Sequence, residues 1–160
     1  MAVPRPCYCR AVARAVASTL LVLASMWAVA LPVLPCVRGP LVDTMSAATL
    51  RTGALICHQR TERSFVSCGT QWAVCGRCAG LYLGAVLGTV AAMAGVVRRD
   101  TSWRMWRRFV LIAAIPTAVL WSVEVLRLWD PGTLLRWAAA LPLGAATAAW
   151  LTAVARGDLR

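Results

Sequence analysis

Four long apolar runs, separated by arginine-rich or proline-marked breaks, organise this chain. They cover about residues 11–34, 79–97, 109–128 and 134–154. Each is close to the roughly 20 residues that a helix needs to cross a bilayer core. The pattern predicts an all-α fold: a single polytopic membrane domain over residues 1–160, with about four transmembrane helices. The first run follows Arg5, Arg10 and Arg14 and closes at Pro32 and Pro35. A basic start before an apolar core also describes a secretory leader. This core exceeds the roughly 7–15 residues of such a leader and no small-x-small cleavage site follows it, so a retained span is expected.

The connection over residues 35–78 is too long for a turn and too apolar to be free linker. From Thr44 to Ile56 the positions Met45, Ala48, Leu50, Ala54 and Leu55 approximate one helical face, broken by Arg51 and Gly53. A helix lying on the membrane or dipping into it is the expectation. The remainder is read as an extramembrane loop carrying cysteine and histidine. Gly80, Gly84 and Gly88 then recur at intervals of four in the second span, a spacing that lets another helix approach closely.

Composition agrees with this reading. Hydrophobic residues make up 60% of 160 positions and mean hydropathy is +0.68, well above the apolar share of a soluble domain. Every one of the 17 basic residues is arginine and the net charge is +11. The arginines flank apolar spans and form no continuous basic face with interleaved aromatics, so no nucleic-acid partner is expected. One side of the bilayer would carry Arg5, Arg10, Arg14, the five arginines of residues 98–108, Arg156 and Arg160; the other carries seven. Dense positive charge in a short loop marks the cytoplasmic side, which predicts a multi-pass protein of the inner cell membrane with cytoplasmic termini and the loop outside. Most of the eight tryptophans lie near span ends, where they anchor helices at the interface.

The candidate chemistry is concentrated in 28 residues. Cys57, His58, Cys75 and Cys78 supply four soft donors, the number a tetrahedral structural zinc site requires. Neighbouring side chains diverge, so Cys57, Cys75 and Cys78 are better placed as ligands than His58, which could instead tether the loop. Two alternatives stay open. Cys75 and Cys78 could work as a redox dithiol at a helix start, where the dipole and Arg77 favour thiolate. Cys57 or Cys68 could form a disulfide to that pair in an oxidising compartment. Cys36 and Cys68 have no evident partner. Cys7 and Cys9 could be acylated or idle.

Arg60, Glu62 and Arg63 fit a solvated face, an Arg–Glu network docking the loop, or an anion or lipid-phosphate site. Glu124 lies inside an apolar span near its end, by the cysteine loop, where an ionisable residue is costly. Arg127, three residues on, is its nearest candidate partner, and Arg136 is the other.

Cys57-His58-Gln59-Arg60, then Arg63-Ser64-Phe65, Gln71, and Val74-Cys75 with Arg77-Cys78, Gly80, Tyr82 and Gly84, resemble the signature of a bacterial and archaeal membrane family, domain of unknown function 2085. The resemblance is close from Cys57 to Gly84. It extends more weakly to Arg136 and Gly144, with Thr133 where the family pattern has Asn and Glu124 near a usual acidic position. It implies functional roles for Cys57, His58, Gln59, Arg60, Arg63, Cys75, Arg77, Cys78, Gly80, Tyr82 and Gly84. Cys68 lies outside the motif and is expected to be dispensable. No activity comes with the family. The expectation is therefore a zinc-organised module in a lipid bilayer that handles a small anion, a lipid head group or a protein partner. A thiol-disulfide oxidoreductase using Cys75 and Cys78 as the exchanging pair, with Cys57 as a resolving thiol, is the rival, and a metal-dependent hydrolase with Glu124 as base is a third reading.

Overall fold

The apolar runs are helical in the computed structural model, which describes residues 7–96 and 102–156. The helices are α1 (Cys7–Val33), α2 (Pro40–Ile56), α3 (Gly76–Met93), α4 (Trp103–Val125) and α5 (Gly132–Arg156). All except α2 are long and apolar enough to cross a membrane. The second span starts three residues before the expected residue 79, at Gly76, so Cys75 stands at its N-cap and Cys78 in its first turn. Arg5, Arg98, Arg99 and Arg160, which weigh in the orientation argument, lie outside the described residues. So do the side chains of Cys7, Cys9, Arg10 and Arg14.

The helix over residues 44–56 is present and longer than the pattern suggests, because Pro40 supplies a first-turn residue whose missing N–H is no loss there. Leu41, Met45 and Leu55 remain exposed on it.

α3 and α5 run in parallel and form the centre. Their contact is made by small residues: a Cβ at Gly84 would strike the carbonyl oxygen of Leu141, and one at Gly144 the carbonyl oxygen of Leu81. Gly80 and Gly88 meet the carbonyls of Trp137 and Ala145 in the same way. Backbone therefore touches backbone along the crossing, the geometry expected of small residues every fourth position. Gly84→Leu should lower the stability of the detergent-purified protein by about 1–3 kcal/mol, as overpacking does elsewhere. A wild-type melting curve would mean that this face meets lipid.

The outer helices attach by specific contacts. Trp27 of α1 meets Tyr82 edge-on at 6.2 Å between centroids. Thr117 of α4 donates to the Ala139 carbonyl at 2.8 Å. At the other end of the bundle, Trp103 stacks obliquely on Trp150 at 4.9 Å, and Arg156 donates to the Ala92 carbonyl.

The fold contains an antiparallel hairpin that the helical reading omits: β1 (Ser64–Ser67) and β2 (Thr70–Cys75). Cys68 and Gly69 form its two-residue turn, both with positive φ, 52° and 78°. That is the primed turn that matches strand twist. Strands this short, with cysteine where asparagine usually signals the turn, carry almost no periodic signal. Phe65 packs on Trp72 at 5.0 Å across the hairpin, and the Trp72 indole donates to Ser67 at 2.7 Å.

Cys68 is bonded to Cys36, which corrects both expectations for it: it does not bridge to the Cys75 pair, and it has a structural role. The physical reason is position. The hairpin turn carries Cys68 away from the helix start and sets it against the short 3₁₀ turn Leu34–Cys36 that ends α1. The bridge closes 32 residues of sequence separation and stabilises mainly by restricting the unfolded chain, by about 2–4 kcal/mol. Cys68→Ser should lower the melting temperature and make the hairpin sensitive to proteolysis; unchanged proteolysis would show that the bridge carries no load.

Candidate functional site

Three thiols from separate parts of the sequence meet where α3 begins. Cys57 follows the last turn of α2, and its N–H donates to the Gly53 carbonyl at 2.9 Å. Cys75 is the last residue of β2 and stands at the N-cap of α3; Cys78 follows in the first turn. The Cys75 N–H donates to the Cys57 sulfur at 3.2 Å, locking strand end to helix end. The three sulfurs lie within 4.8 Å of one another, so this cluster could hold a metal ion. Cys57 is buried and the other two are half-buried. A hydrogen bond from the Cys78 thiol holds the Cys75 thiol well below its usual value, at about 5; burial opposes this, and the N–H groups of Cys78 and Arg77 assist it. His58 is exposed and stands outside the sulfur cluster.

Gln59 accounts for how the loop is held. It adopts a left-handed backbone conformation, φ 47°, and its side-chain amide donates to the carbonyls of Leu50 and Ala73, both at 2.7 Å. It thus ties the end of α2 to β2. Gln71 returns the contact, donating to the Gln59 carbonyl at 2.7 Å, and Ser64 donates to the Arg60 carbonyl at 2.9 Å. Gly53 is required beneath this clamp, since a Cβ there would strike the Ala73 carbonyl. Spacing alone gives no hint of this role for Gln59 and Gln71.

Beside the thiols lies an ion network around Glu124, whose side chain is 6% exposed. Arg136 Nε donates to it at 2.7 Å and Arg77 Nη2 at 2.9 Å, with Arg63 Nη1 at 3.5 Å. Arg127, the nearest candidate partner in sequence, is not among them. It sits just past the end of α4 in a left-handed conformation, φ 53°, where its N–H closes the helix on the Glu124 carbonyl at 3.0 Å. A residue in that capping position turns away from the preceding helical face. Arg136 also donates to Asp130 at 2.8 Å. The Gly132 N–H and, to a lesser degree, Arg136 hold the Asp130 carboxyl below its usual range.

The thiols and the arginines share one cavity of about 350 Å³, lined by the three cysteines, by His58 and Gln59, and by Arg60, Arg63, Arg77 and Arg136. Sequence separation hides this arrangement: Arg77 and Glu124 are 47 residues apart.

Among known proteins, an uncharacterized protein of Methanocaldococcus jannaschii is 33% identical over 76 residues, and an uncharacterized protein of Methanothermobacter thermautotrophicus is 31% identical over 89 residues. These matches cover 47% and 56% of this chain. The chain spans about half the length of the first relative, 47%, and 78% of the second. No solved structure matches it. The family described as "Predicted membrane protein (DUF2085)" matches residues 57–150, from the first thiol of the cluster to the last turns of α5. The chain, with its four membrane-length helices and its cysteine cluster, belongs to that family of membrane proteins.

Proposed function

We propose that the protein is a membrane module organised by a zinc ion bound to Cys57, Cys75 and Cys78, with the fourth position open to His58 or to an exogenous ligand. The observation that supports this is the convergence of three sulfurs within 4.8 Å. Tetrahedral ligation at a Zn–S distance of about 2.3 Å sets sulfurs about 3.8 Å apart, so modest closure satisfies it. A bound zinc ion would supply charge neutralisation for the thiolates and a Lewis-acidic position. The chain itself does the rest: the Gln59 clamp and the Cys75 N–H hold Cys57 against the helix start, and the α3 N-terminus favours thiolate.

We infer that this end of the bundle lies outside the cell and the termini in the cytoplasm. The arginine-dense 98–108 connection supports this through the positive-inside rule. The Cys36–Cys68 disulfide supports it independently, because such bonds persist in oxidising compartments. It also favours metal over bare thiols, since ligation protects thiolates from oxidation. A reporter fused at Asp100 should be active only in the cytoplasm, and periplasmic activity there would overturn the orientation.

Elemental analysis of detergent-purified protein, with thiol titration before and after chelation, tests the metal reading. Stoichiometric zinc with three thiols released on chelation is the expected result. The placement of Cys75 at the N-cap of α3 and Cys78 in its first turn, with their sulfurs within 4.8 Å of each other, supports a second reading, thiol-disulfide exchange. In it the Cys75 thiolate attacks a partner disulfide and Cys78 resolves the mixed disulfide, so the partner gains two electrons and this pair becomes oxidised. Metal-free protein whose Cys75 and Cys78 shift between two and no alkylatable thiols with glutathione potential would establish that reading instead.

A further inference from the structure

We propose that the cavity beside the thiols binds a phosphoryl oxyanion, either free or as a lipid head group, and that Arg136 is its central donor. Arg136 is 2% exposed, with Nε and Nη2 committed to Glu124 and Asp130. Its Nη1 is buried and has no hydrogen-bond partner among the described residues. A buried guanidinium N–H without an acceptor has given up the hydrogen bond it makes to water in the unfolded chain, and a ligand oxygen would restore it. Arg136 is among the residues that line the cavity, and a ligand oxygen there would meet the covered Nη1 after a small opening of that wall.

The charge around it supports the same ligand. Arg60, Arg63, Arg77 and Arg136 line the cavity, and the carboxylates that pair with them are Glu124 and Asp130. Arg60 is exposed and makes no ion pair among the described residues. A divalent ion on three thiolates carries one negative charge, so the excess of positive charge survives metal binding. Guanidinium forks match the paired oxygens of a tetrahedral oxyanion, whereas chloride offers no such geometry. A volume of about 350 Å³ is at the small end of ligand sites, which run from about 300 Å³ upward, and holds a phosphate group together with a small head group.

The proposal does not rest on the zinc reading. The test uses full-length protein in maltoside micelles, which carry no phosphate, titrated with inorganic phosphate by calorimetry, and in parallel the same micelles containing phosphatidate, read by thermal unfolding. Zinc content is measured on the same samples, so a metal-free protein that still binds phosphate would sink only the zinc reading. Saturable phosphate binding in the phosphate-free micelles assigns the free anion; stabilisation by phosphatidate alone assigns the head group. Arg136→Gln should weaken the response about tenfold or more. Because that variant also breaks the Glu124 network, Arg60→Gln serves as the second variant. It touches no internal ion pair and should weaken binding about two- to fivefold. No response to either probe, an equal response to acetate, or wild-type affinity in Arg60→Gln would each overturn the proposal.

Discussion

Serine at Cys57, Cys75 or Cys78 is expected to abolish stoichiometric zinc, and to do so equally at the three positions. Each supplies one sulfur to a cluster whose members come from the end of α2, the end of β2 and the first turn of α3. A site with three protein donors has none to spare, and ligation and folding share one free energy, which for structural zinc in small domains is about 10–16 kcal/mol. Part of this chain's fold is secured otherwise, by the glycine-lined helix contact and the disulfide, so each variant should still insert. What should fail is the loop: α2 should loosen from β2 and the hairpin should become cleavable. Cys68→Ser separates the two kinds of cysteine, because it should loosen the hairpin while zinc stays bound. Metal retained in any one of the three variants would remove that residue from the ligand set. Unequal thiol reactivity without metal would favour exchange chemistry.

How much of this could be read from the chain depends on the distance over which each signal acts. The membrane helices were legible because a run of about 20 apolar residues has one physical reading. The Gly80, Gly84 and Gly88 series was legible because its purpose, close approach, is written in the absence of side chains. The hairpin was not, since β1 is four residues long and its alternation is interrupted by an irregularity between Ser64 and Val66. The clamp made by Gln59 was also hidden, because a glutamine amide that satisfies two carbonyls resembles any polar loop residue until both carbonyls are located. Spacing favoured Arg127 as the partner of Glu124 and was misleading there. Near-neighbour rules assume that the helix continues, and α4 stops at Val125. Leu126 is its C-cap, and the arginine is the left-handed residue that follows. The cysteine spacing pointed to Cys57, Cys75 and Cys78 because two of them stand three residues apart at a helix start; Cys36 and Cys68 had no local relation to reveal their bond.

Glu124→Ala is expected to destabilise the protein by about 3–5 kcal/mol, the range for removing one partner of a buried ion pair. The size follows from what would be left behind. Arg136 is 2% exposed and would lose the acceptor at 2.7 Å from its Nε, leaving Asp130, a carboxylate 70% exposed to solvent, as its remaining ion-pair partner. Arg77 and Arg63 are more accessible, with side chains 22% and 37% exposed, so water recovers much of their loss and they add little to the penalty. Glu124→Gln should fall between alanine and wild type, because it keeps an oxygen for Arg136 but not the charge. The Glu124→Ala/Arg136→Ala double variant should cost less than the two single changes added together, since removing both ends leaves no uncompensated buried charge. Additive effects in that cycle would mean that the two residues act separately. If Glu124→Ala melts as wild type does, the network is not what docks the hairpin region on α4 and α5, and the thiol cluster and the Cys36–Cys68 bridge must hold it there alone.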